Sequence, residues 1–137
     1  YGGILTNYAI TKSTRFKAAM TGASEVNYLA NFGHDQYLKE WEAELGLPWR
    51  ETSKWVELSP YFKVENITTP TLVLCGQEDW NVPLINSEQL YQALRRLSVP
   101  TQLVIYPGEH HSISRPSFQE DKLRRYLEWY DRYLVAQ

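Results

Sequence analysis

The sequence predicts an α/β fold, a parallel sheet of about three strands alternating with helices. Three observations carry that expectation. Residues 70–83 open with the apolar run 72–75, too short for a helix and without surface-strand alternation, as in a strand buried on both faces. Residues 101–106 repeat the pattern around Leu103, Val104 and Ile105. A strand, a loop and a helical period then follow one another three times along the chain, which favours a parallel sheet with right-handed crossovers.

The elements follow in order. Residues 2–11 space Ile4, Leu5, Tyr8 and Ala9 as a helix leaving a strand-to-helix turn, with Gly2 and Gly3 permitting close backbone approach. Residues 16–21 are a strand ended by Gly22. Val26, Tyr28, Leu29 and Phe32 make one or two helical turns. Tyr37, Leu38, Trp41 and Leu45 give residues 36–45 an amphipathic helix closed by Gly46. Thr52 or Ser53 caps a short helix through Leu58, ended by Ser59 and Pro60, and residues 63–69 connect to the central strand. Residues 87–97 form a helix with Leu90, Leu94 and Leu97 inward, broken by Pro100. Residues 119–134 form a last helix with Leu123, Tyr126, Leu127, Tyr130 and Leu134 on its inner face.

The 137 residues fit one domain, 1–137, with 43% hydrophobic and 22% charged residues in an ordinary globular balance. A net charge of −2 with dispersed Lys and Arg supplies no basic field for nucleic acid. No apolar run approaches the ~20 residues that span a bilayer, and no leader pattern is visible, so the expected compartment is the cytoplasm. Cys75 is the single cysteine, so it cannot form an intrachain disulfide, and it is expected to pack as a small apolar residue. The chain holds five Trp and ten Tyr, and many of its aromatic residues cluster in residues 28–61, an irregular, aromatic-lined segment.

Chemistry collects in two loops. Glu78 and Asp79 lie just beyond the carboxyl end of the central strand, where open α/β sheets place their sites. His110 and His111 follow the next strand in the loop opened by Pro107 and Gly108. An acid loop followed by a histidine loop is the order in which these groups follow the nucleophile in α/β-hydrolases. There the carboxylate accepts from the histidine Nδ1–H, holds the tautomer and stabilises the imidazolium. Residue type alone does not choose between Glu78 and Asp79 or between His110 and His111, and a loop aspartate also serves as a local cap. Two adjacent histidines diverge, and without a third ligand at suitable spacing they do not make a metal site. Ser112, beside a histidine, lacks the geometry of a nucleophile, and His34 and Arg115 read as surface residues.

Tyr1-Gly2-Gly3, Gly76 with Asp79 and Val82-Pro83, and Tyr106-Pro107-Gly108-Glu109-His110-His111 together resemble the prolyl oligopeptidase family of serine peptidases. The similarity is greatest to its acylaminoacyl-peptidase and dipeptidyl-aminopeptidase branch. It runs through the whole chain, including Leu45-Gly46, Pro48-Trp49, Ser59-Pro60 and Asn66-Ile67. It implies the carboxyl-terminal half of an α/β-hydrolase fold, with Asp79 as triad acid and His111 as base. The family's elbow reads Gly-x-Ser-Tyr-Gly-Gly, so the chain is expected to start one residue after the catalytic serine. Tyr1 would then give its backbone N–H to the oxyanion hole, and the chain alone would be inactive. The resemblance also implies an oligopeptide substrate, no cofactor and no metal, and Phe32, Tyr37 and Trp41 as substrate-pocket walls. A carboxylesterase on the same fold, and a non-catalytic chain that self-associates, are the competing readings. The open sheet edge near residues 16–20 favours pairing with a second copy or with the amino-terminal half of the same protein.

Overall fold

The computed structural model describes residues 1–135. Three strands, β1 (Ala19–Gly22), β2 (Thr71–Gly76) and β3 (Thr101–Tyr106), form a parallel sheet in the order β1-β2-β3. Thr71 faces Ala19 on one side and Thr101 on the other, so β2 is the central strand. Every residue of β2 is buried, because helices cover both faces. Helix α1 (Gly2–Lys12) and helix α5 (Leu84–Arg96) share one face, where Ile10, Leu90 and Leu94 pack with Val73. Helix α6 (Pro116–Tyr130) covers the other, where Trp129 packs with Leu72, Leu74 and Tyr106. The alternating directions of Leu72, Val73 and Leu74 explain why the strand reads as a continuous apolar run. Each such side chain, fully buried, contributes about 1.5–3 kcal/mol.

Between β1 and β2 the chain forms α2 (Tyr28–Asn31), α3 (Leu38–Leu45), α4 (Thr52–Leu58) and a 3-10 segment (Pro60–Asn66). These carry a third apolar cluster of Tyr28, Leu45 and Trp55, with Phe32 and Trp41 packed against it. Buried polar side chains tie this insertion to the sheet. Asn86 of α5, fully buried, accepts from the backbone N–H groups of Val26 (3.0 Å) and Asn27 (2.9 Å). Asn7 of α1 donates to Ser24 Oγ (2.8 Å) and the Glu25 carbonyl (2.7 Å).

Several expectations are corrected. Strand β1 begins at Ala19 rather than residue 16, because the ladder starts where Ala19 N–H donates to the Pro70 carbonyl and Phe16 stays exposed. Helix α4 has no side-chain cap: Thr52 lies inside it and its hydroxyl donates back to the Pro48 carbonyl. Much of the 63–69 connector belongs to the 3-10 segment that Pro60 opens. Helix α5 starts at Leu84, directly after Pro83, and Leu97 is exposed beyond its end. The expected inner face of the last helix is also corrected. Leu123, Leu127 and Leu134 are exposed; of the expected face Tyr126 does pack toward the sheet, together with Phe118, Trp129 and Tyr133. Tyr106 Oη donates to Asp121 (3.2 Å), which also pairs with Arg125 (2.6 Å), and this fixes that rotation.

The loop after β3 crosses directly over the end of β2. A Cβ on Gly76 would lie 2.1 Å from the His110 carbonyl oxygen and 2.4 Å from that of Glu109. Both obstacles are backbone, so the contact can be relieved only by moving the loop. Gly76→Ala is therefore expected to cost about 3 kcal/mol, measured by urea denaturation, because overpacking against backbone has no side-chain escape. A loss below ~0.5 kcal/mol would show that the crossing is loose.

Candidate active site

Two loops meet at the carboxyl end of the sheet. Gln77 N–H donates to the Tyr106 carbonyl (3.0 Å) and Glu78 N–H to the Glu109 carbonyl (2.9 Å), so the loops continue the β2–β3 pairing past the strands. This registers Asp79 opposite the histidines. The Asp79 side chain is fully buried. Its Oδ1 accepts from the N–H groups of Asn81 (2.8 Å) and Val82 (2.9 Å), while Oδ2 lies 2.9 Å from His111 Nδ1. Capping and ion-pair geometry thus use different oxygens of one carboxylate. His110 is engaged elsewhere, its Nδ1–H donating to the Glu78 carbonyl (2.7 Å). The Glu78 side chain is exposed. Neighbours that residue type alone left equivalent are distinguished by the crossing of the loops.

The histidine loop is wrapped around the carboxylate of Glu109, to which the motif itself gave no role. Glu109 is 2% exposed and accepts from Ser114 N–H, Ser114 Oγ–H (3.1 Å) and Arg115 N–H (3.4 Å). The Arg115 guanidinium lies 3.3 Å away, so Arg115 holds this loop rather than standing free on the surface. These donors, the Ser114 backbone first, hold the Glu109 carboxyl below its ordinary value. Gly108, at φ +67°, supplies the left-handed turn that sends Glu109 inward. A conventional acidic residue in a loop gives no sequence signal of this kind, since its partners are defined only once the loop closes.

Half of the His111 side chain is exposed, and it borders a cavity of about 500 Å³. Tyr37, Trp41 and Tyr28 form aromatic walls, and Val82 and Asn81 come from the acid loop. Tyr1 lies at the head of α1 and lines the same cavity. Phe32 does not line it; its ring packs edge-on against Trp55 (5.5 Å) and Trp49 (5.9 Å). Glu25, not anticipated, contributes a carboxylate to the wall. Its position directly beyond the end of β1 was the available signal. Cys75 is buried beneath the acid loop, and burial pushes its thiol up to about 11, away from thiolate chemistry. Among the described residues, no group of three or more His, Cys, Asp or Glu could hold a metal ion, and no helix is long and apolar enough to cross a membrane.

A buried carboxylate paired with a half-exposed histidine, on successive loops at the carboxyl edge of a parallel sheet, has the architecture of an α/β-hydrolase. Comparison with known proteins agrees and narrows the class. The family model described as "Prolyl oligopeptidase family" matches residues 1–137, and the chain belongs to that peptidase family. It is 32% identical over 140 residues to an uncharacterized peptidase, YuxL, of Bacillus subtilis, covering 98% of the chain and 21% of that protein. It is 26% identical over 143 residues to the acylamino-acid-releasing enzyme of Rattus norvegicus, covering 98% of the chain and 20% of that protein. The acylaminoacyl peptidase structure of Pyrococcus horikoshii superposes with a TM-score of 0.91 at 26% identity, over 100% of the chain and 23% of that protein. The chain thus spans about a fifth of the length of these relatives. Its three strands and helices match the carboxyl-terminal α/β-hydrolase part of the solved peptidase.

The Glu109 geometry has a pH signature. A carboxyl held below its unfolded value stabilises the fold above the ordinary carboxylate range and loses that contribution as pH falls through the folded value. Urea midpoints should therefore drop on acidification from pH 7 to about pH 3 more steeply for the native chain than for Glu109→Gln. Parallel curves would remove Glu109 from the account of the loop.

Proposed function

We propose that Asp79 and His111 are the acid and general base of a Ser-His-Asp triad that hydrolyses peptide bonds of short or Nα-acylated peptides. The observation that supports this most strongly is the 2.9 Å contact between His111 Nδ1 and a fully buried Asp79 whose second oxygen is held by two backbone N–H groups. A carboxylate fixed in this way orients the ring, keeps the proton on Nδ1 and leaves Nε2 as the base. The nucleophile is a serine presented at the head of α1, beside Tyr1. His111 Nε2 takes the serine proton as Oγ attacks the scissile carbonyl, and the backbone N–H of Tyr1 donates to the developing oxyanion. The tetrahedral intermediate collapses as His111 gives that proton to the leaving amine. Water, activated by the same nitrogen, then releases the acyl group and regenerates the serine. Relatives named as acylaminoacyl peptidases support a peptide substrate over a simple ester.

The reading extends to assembly. Among the described residues strand β1 pairs only with β2, so its other edge is available to a further strand, from a second copy or from a preceding part of the same polypeptide. Light scattering of the chain at micromolar concentration should report a dimer or larger species, and a monomer would remove self-pairing from the proposal.

The chemistry is tested in a polypeptide that joins this chain to a serine-bearing segment of its family, labelled with a fluorophosphonate and assayed on an acylated peptide. His111→Ala should lower kcat on the order of 10⁶-fold, and Asp79→Asn by about 10⁴-fold with binding little changed. His110→Ala should stay within about tenfold of the parent. Loss of labelling in His110→Ala with retention in His111→Ala would reverse the assignment of the base.

A further inference from the structure

The cavity beside His111 has a charge that the proposed peptidase chemistry does not use. Glu25 stands in its wall, and Glu40 and Glu44, one turn apart on α3, border it as exposed rim residues, while no Lys or Arg among the described residues lines it. Lys54 donates to the main-chain carbonyl of Glu44 and lies outside the lining. The walls are aromatic: Tyr28 and Trp41 have ring centroids 5.1 Å apart, and Tyr37 completes the enclosure. Glu25 is built into place. Asn31 donates to one carboxylate oxygen, and Asn31, fully buried, accepts in turn from Asn86 of α5. An aromatic enclosure accepts the methylene stem of a long side chain and attracts a cation to its faces, while a carboxylate offers the charged end a partner.

We propose that this cavity selects substrates carrying a lysine or arginine side chain on the acyl side of the scissile bond, with Glu25 as the specificity-determining residue. The inference rests on the reading of His111 as the base, which makes the adjoining cavity the seat of that side chain. Glu40 and Glu44 then draw the cation toward the mouth, and Glu25 pairs with it inside. The state of Glu25 agrees with a missing partner. Burial, followed by the charge of Asp35, pushes its carboxyl up to about 7, and the Asn31 hydrogen bond offsets this only in part. Pairing with a bound ammonium or guanidinium would keep the carboxylate ionised.

Binding without chemistry tests the proposal in the chain itself. Nα-acetyl-lysine methylamide and Nα-acetyl-norleucine methylamide, which differ in the terminal charge, are titrated at pH 8 while the indole signals of Trp41 are followed by NMR. The lysine probe should bind about tenfold more tightly than the norleucine probe, as expected for one hydrogen-bonded charge pair. Glu25→Gln, which keeps the shape of the side chain, should abolish the preference. The double variant Glu40→Gln with Glu44→Gln, on the exposed rim, should reduce it by less than about threefold. Equal binding of the two probes, absence of binding by either, or an undiminished preference in Glu25→Gln overturns the proposal. If His111→Ala left turnover intact while the lysine preference held, the triad reading would fail and the cation site would stand.

Discussion

The structure depends on the crossing of two backbone segments at the end of β2. Gly76 has no side chain, so the loop carrying Glu109, His110 and His111 can lie directly over it. That contact converts two successive strand-to-loop turns into one rigid corner, held by Gln77 N–H on the Tyr106 carbonyl and Glu78 N–H on the Glu109 carbonyl. Asp79 and His111 are 32 residues apart in sequence and meet because this corner continues the parallel register of β2 and β3. A displacement of about an ångström would break the contact, and such displacements in catalytic geometry cost on the order of 10² in rate.

Buried polar groups give the rest of the site its shape. The insertion between β1 and β2 has little regular structure of its own, and short helices are marginal without tertiary support. Asn86, Asn31 and Asn7 provide that support by satisfying backbone and side-chain groups that would otherwise be stranded in the interior. The same bonds fix Glu25 at the wall of the cavity and the aromatic residues around it. Glu109 does the equivalent for the histidine loop, gathering Ser114 and Arg115 around one carboxylate.

What could be read from the sequence divides along physical lines. Strand β2 was legible because burial on both faces makes an apolar run that few other structures produce, and β3 because Leu103, Val104 and Ile105 repeat that run, although only Tyr106 of this strand is buried. The pairing of Asp79 with an adjacent-loop histidine was legible because a parallel sheet puts successive strand ends side by side. The rotation of α6 was not. The expected face, Leu123, Tyr126, Leu127, Tyr130 and Leu134, shares Tyr126 with the face that is used, Phe118, Tyr126 and Trp129 of α6 with Tyr133 beyond its end, and periodicity cannot rank two such overlapping stripes. The larger aromatic area and the Asp121 bonds to Tyr106 and Arg125 decide it, and both exist only in three dimensions. Glu25, and the role of Glu109 beyond its place in the family motif, were not legible for the same reason: an acidic residue in a loop looks solvated until its enclosure has formed.

The most direct measurement is the ¹H–¹⁵N NMR spectrum of the His111 ring in the folded chain, compared with Asp79→Asn. If the corner positions the pair as described, His111 carries its proton on Nδ1, strongly deshielded by the Asp79 carboxylate, and the substitution removes that signal while His110 is unchanged. A His111 ring protonated on Nε2, with no deshielded proton and no response to Asp79→Asn, would contradict the claim that the two loops assemble a catalytic acid–base pair.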